Sequence, residues 1–172
     1  MQRSVAKFGI SSKRGRTRTS NDPYLPEGGH KEPAICKSCH ALYQQKRWLL
    51  DPHTVEAMQN RPDVQWVTCP ACQKIAEHYP EGILTLSGDY LWNHEQEIRN
   101  ILDNEAERVL AKNPTARIMQ MTAEDQSLVI ETTEQKLAEH LGRVLNRAHR
   151  GELQVDWSGS PRICRVNWER WQ

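Results

Sequence analysis

Two cysteine pairs, Cys36-Lys-Ser-Cys39-His40 and Cys69-Pro-Ala-Cys72, carry the first chemistry that the sequence offers. The Cys-x-x-Cys-His string has three incompatible readings: covalent haem attachment, a redox dithiol, or one half of a zinc site. Haem attachment needs an axial partner and an export route, and only Cys36, Cys39 and His40 fit it, because the second pair has no histidine. A thiol redox protein is better matched by Cys69-Pro-Ala-Cys72, which follows a strand-like stretch. Against it, the residues that follow allow at most about two helical turns before Pro80. The upstream pair would also have no redox role. Two short loops that each turn both sulfurs toward one point supply the tetrahedral shell of Zn²⁺. The expected ligands are Cys36, Cys39, Cys69 and Cys72, with His40 as a substitute only where one thiol points away. The gap between Cys39 and Cys69 is longer than in an ordinary zinc ribbon, and its residues read as a small protruding finger. Cys164, alone in a strand pattern, reads as a buried small hydrophobe.

The elements that must position these thiols fall into three stretches. Residues 1–33 read as a disordered basic arm and linker. Arg3, Lys7, Lys13, Arg14, Arg16 and Arg18 precede the first acid, Asp22, and Pro23, Pro26, Gly28, Gly29 and Pro33 follow closely. Residues 34–80 read as a four-cysteine zinc-ribbon module, with a short helix in "DPHTVEAMQ" and a strand in "DVQWVTC". This stretch has too few aliphatic residues for a core of its own, so metal is expected to supply its folding free energy. Residues 81–172 are regular: strand "GILTLSG", helix "NHEQEIRNILDNEAERVLAKN", a hairpin in "ARIMQMTAEDQSLVIETT", helix "TEQKLAEHLGRVLNRAHRG", and strands "ELQVDWS" and "RICRVNWER". Asn93 with Gln96, and Thr132 with Gln135, occupy capping-box positions. The expected fold class is α+β: a zinc ribbon followed by a ferredoxin-like, split βαβ domain with an antiparallel sheet and an extra strand.

No catalytic constellation is visible, since phosphate loops, Gly-x-Ser-x-Gly and His-Glu-x-x-His are all missing from the sequence. Asp103, Glu105 and Glu107 read as a solvated helix face, and His140 and His149 as surface histidines. A closed four-thiolate shell leaves zinc no open position for water. The expectation is a protein that is not an enzyme. With 23 Lys+Arg against 22 Asp+Glu in 172 residues, net charge +1 points to no partner. Its distribution does, because mobile cations bind phosphate. The candidate nucleic-acid contacts are Lys13, Arg14, Arg16 and Arg18 in the arm, and Lys37, Lys46, Arg47 and Trp48 on the zinc module. No secretory signal and no membrane span is evident, and a cytoplasmic location is expected; an amphipathic presequence is the alternative that an Arg- and Ser-rich start leaves open.

At "ICKSCHALYQQKRW", "CPACQKIAEHYPEGILTLSG" and "TTEQKLAEHLGRVLNRAHRGEL" the chain resembles a family of small bacterial zinc-ribbon proteins. Through them it is distantly similar to the eukaryotic and archaeal adaptor for export of the large ribosomal subunit. The resemblance covers about residues 35 to 170, although that adaptor carries more Cys-x-x-Cys pairs. It implies a zinc-dependent RNA- or ribosome-associated protein and no enzyme; with the arm and the zinc module, the expectation is contact with structured RNA, ribosomal RNA above all, with stress as one setting. The competing expectation is a zinc-ribbon module that docks on a protein partner.

Overall fold

The computed structural model describes residues 24, 26, 28–157, 159 and 163–172. Of the expected arm and linker, residues 1–23, 25 and 27, and with them Lys13, Arg14, Arg16 and Arg18, lie outside the described residues; residues 28–33, expected to be disordered, are instead placed, with His30 packed on Tyr43 and Trp48. What is described is mixed α+β with two sheets.

The first sheet is built from three-residue strands: β1 (Ala34–Cys36), β2 (Leu42–Gln44), β3 (Arg47–Leu49) and β4 (Gln65–Val67). Their order is β3-β2-β1-β4, with β4 parallel to β1. Between β3 and β4 lies α1 (Pro52–Met58), started by Pro52 and by Asp51, whose side chain accepts from Thr54 N at 3.0 Å. Helix α2 (Pro70–Glu77) follows β4, capped by Cys69 with Pro70 in its first turn.

This part has more core than its composition suggests. Ile35 and Leu42 are fully buried with Val55 and Val64 on one side of the little sheet. On the other, Ala34, Ala41, Tyr43, Trp48 and Ala71 surround Cys36 and Cys69. Strand alternation explains how so few apolar residues suffice: adjacent Ala34 and Ile35 serve opposite clusters. Metal is thus not needed as the sole source of order here.

The second sheet contains β5 (Gly82–Ser87), β6 (Ile118–Glu124), β7 (Ser127–Thr132), β8 (Glu152–Asp156) and β9 (Cys164–Glu169). Short helix α3 (Asp89–Asn93) and long helix α4 (Glu95–Lys112) join β5 to β6, and α5 (Gln135–His149) joins β7 to β8. No described helix is long and apolar enough to cross a membrane. The strand order is β6-β7-β5-β9-β8. β5 and β6 flank β7, each antiparallel to it. The extra strand differs from expectation in place and direction. β9 inserts between β5 and β8 and runs parallel to β5, so the sheet is mixed rather than antiparallel throughout.

One face of this sheet is sealed by the helices. Leu84, Leu86, Leu128, Ile130, Val166 and Trp168 alternate inward and meet Ile98, Leu102, Leu141 and Leu145. Gly142 lets α5 approach, because a Cβ there would sit 2.6 Å from Val166 Cγ1. Cys164 is fully buried in this core, as expected.

Both expected capping boxes are absent. The N-cap residues are His94 for α4 and Glu134 for α5, and neither makes a side-chain capping bond. Thr132 is a buried strand residue whose hydroxyl donates to Glu134 O at 2.8 Å, and Asn93 ends α3. In both cases the preceding element claims the residue that local sequence would assign to the cap.

Candidate metal centre

Cys36 closes β1, and the chain then reverses within a few residues. His40 N donates to Cys36 O at 2.9 Å and Cys36 N donates to Ala41 O at 2.9 Å, with His40 at φ 60°. This turn brings Cys39 back beneath Cys36. The second pair does not sit on a second hairpin, as a ribbon would have it, but at the start of α2. Cys69 is the N-cap and Cys72 lies in the first turn, so both sulfurs meet the positive end of the helix.

The four sulfurs lie within 4.8 Å of one another, and all four cysteines are free thiols. Cys39 Sγ and Cys69 Sγ are 3.7 Å apart, one from each pair, a separation too long for a disulfide. Backbone amides point at the sulfurs: Cys69 N donates to Cys36 Sγ at 3.3 Å and Cys72 N to Cys69 Sγ at 3.4 Å. Arg117, from the loop before β6, adds a cation. Its Nη1 donates to Cys72 Sγ at 3.5 Å while its Nε donates to Pro114 O at 2.7 Å.

The electrostatics follow from this crowding. The hydrogen bond from Cys69, with help from the Ala41 backbone and Arg117, pulls the Cys39 thiol down to about 4. The same sharing pushes Cys69 up, and burial pushes Cys72 up. Cys39 thus holds a thiolate readily, whereas Cys69 and Cys72 resist ionisation, which a cation among the sulfurs would favour. Soft thiolates in a closed group of four suit Zn²⁺ or iron, and among the described residues no oxygen or nitrogen ligand joins them. His40 is not a member: it is exposed, with its ring 6.4 Å from that of Trp66.

The remaining candidate residues are scattered. Lys37 is exposed at the knuckle, where its amide donates to Val67 O. Lys46 and Arg47 lie at the β2–β3 turn, the other end of the small sheet, and Lys46 N donates to the Glu32 carboxylate at 2.7 Å. Trp48 is only 9% exposed, its ring packed against those of His30 and Tyr43, so it is core rather than a contact surface. The exposed tryptophan here is Trp66, at 46%, on edge strand β4. Its position on an edge strand is a nonlocal fact and left no local signal. His149 also differs from expectation: it is buried, with Nδ1 3.0 Å from Tyr90 Oη.

Fold and site together define a mixed α+β protein organised around a closed four-cysteine cluster. Comparison of the chain with protein-family models, curated proteins and solved structures gave no match.

Proposed function

We propose that this is a zinc-stabilised, non-enzymatic protein that associates with structured RNA. The four-sulfur cluster carries the reading. It is closed, it draws on two pairs far apart in sequence, and cation binding there ties β1 to α2. Zn²⁺ held by Cys36, Cys39, Cys69 and Cys72 supplies folding free energy and leaves no position for a reacting water. Separate clusters of cations at Lys37, at Lys46 and Arg47, and along α5 favour a polyanion, as does the resemblance to a ribosomal-subunit adaptor. A protein-docking module is the second reading, favoured by Trp66 on an open strand edge.

Elemental analysis of the purified chain is expected to give about one zinc per chain, lost on Cys→Ser substitution at any ligand. An iron charge-transfer band in the visible spectrum, or full zinc in a Cys69→Ser, Cys72→Ser variant, overturns the metal assignment. Isolation from cells under mild conditions is expected to bring down ribosomal RNA; recovery of one stoichiometric protein partner and no RNA favours the docking reading.

A further inference from the structure

The cations of α5 are not spread around the helix. Lys136, His140, Arg143 and Arg147 recur every three or four residues, with Arg150 just past the end, so they share one side facing away from the core residues Leu137, Leu141 and Leu145. Helix geometry makes this a row about 20 Å long. Two members have carboxylate partners: Arg143 bonds Glu139 at 2.8 Å, and His140 bonds Glu105 at 2.7 Å. Lys136, Arg147 and Arg150 are exposed and make no ion pair among the described residues.

Beside the row, between α5 and β8, runs a groove of about 480 Å³ lined by His140, Arg143, Asn146, Arg147 and Leu153. Within it the Asn146 side-chain oxygen is buried with no hydrogen-bond partner among the described residues. A buried polar atom left unpaired costs free energy, and an incoming donor that pairs with it gains that free energy back. The opposite, helix-free face of the sheet repels anions: its strands present Glu124, Glu131, Glu152, Asp156 and Glu169 against Arg165.

We propose that this groove is the seat of an RNA backbone segment, an inference that rests on the RNA reading given above. Arg147 and Arg150, with Arg143 beside them, face phosphates. Asn146 pairs with a ribose 2′-hydroxyl, a group that can donate and that DNA lacks. The occupant is thus specified by two chemistries at once, a row of anions and a neutral donor between them.

The test is binding of a short mixed-sequence oligoribonucleotide and its deoxy counterpart to the full chain, across a salt series. RNA is expected to bind more tightly than DNA. Arg147→Gln with Arg150→Gln is expected to weaken both and to flatten the salt slope by roughly 1.4, at about 0.7 per lost single-strand contact. Asn146→Leu is expected to lower RNA affinity toward the DNA value while leaving the DNA affinity and the salt slope unchanged. Thermal melts of the variants confirm that each is folded; Asn146→Ser serves if the leucine variant is not. Unchanged RNA binding in folded Arg147→Gln, Arg150→Gln protein overturns the groove and leaves the RNA reading standing. A full chain that binds neither oligonucleotide at low salt overturns both.

Discussion

Two tryptophans show how much a single side chain depends on its place. Trp48 and Trp66 both lie on three-residue strands, yet one plugs the sulfur side of the small sheet and the other faces solvent. Trp48→Ala is expected to cost about 3–5 kcal/mol in urea unfolding of this part, and Trp66→Ala less than about 0.5 kcal/mol. His149 offers a pH-dependent test. Burial, opposed by Glu97 and reinforced by His94 and Arg170, lowers its pKa below the ordinary 6.5. The folded state therefore resists protonation that the unfolded chain accepts. The contribution is complete above about pH 6.5 and is lost as pH falls toward the folded-state value. Burial lowers His30 in the same direction, so His149→Gln is expected to remove part of the acid-side decline in unfolding free energy. A decline unchanged in that variant counts against the assignment. The cysteines were legible because each pair lies within four residues. Arg117 was not, since it reaches Cys72 from 45 positions away.

At the scale of elements, α5 is the part on which most else leans: it packs on β5, β7, β8 and β9. Helix propensity says that Gly142→Ala should stabilise α5 by up to about 1 kcal/mol. Packing says the reverse, because the new methyl would meet a stiff, buried Val166 at 2.6 Å and Leu153 at 3.2 Å. We expect packing to win, with a net loss of about 1–3 kcal/mol by denaturant melts. A stabilised variant would show that β9 yields at this point. The periodicity of 3.6 made α4 and α5 readable, and alternation made the strands of the second sheet readable. Helix α3 and the true caps were not, because they depend on how Gly88 meets the Arg170 backbone and on Thr132 being drawn into β7.

Across the whole molecule, the cores are separate although the surfaces meet. Among the described residues the small-sheet clusters draw on residues 34–72 and the large core on residues 84–168. Between them pass the Arg117 contact to Cys72 and the buried Lys74–Glu81 ion pair at 2.9 Å. Removal of metal by a chelator is expected to expose the amides of β1, β4 and α2 to hydrogen exchange. Those of β5, β7, α4 and α5 stay protected, and most of the helical circular dichroism remains. Loss of all helicity in one step would show that the two parts fold as one. Strand order in the second sheet could not be read from sequence, because partner choice among strands is set by crossovers and not by any local pattern.

The position of β9 has a consequence for the timing of synthesis. It follows the other four strands along the chain, yet it stands inside the sheet, with Val166 and Trp168 in the middle of the core. A nascent chain that has emerged as far as β8 lacks the strand that both β5 and β8 pair with in the finished sheet. The four cysteines have by then long been available to metal. Synthesis is therefore expected to complete the molecule in two stages, first the portion whose thiols can take up metal and last the sheet that β9 closes. A transcript cut just short of β9 yields a product open at its middle, which proteolytic surveillance can recognise even though the metal portion is already formed.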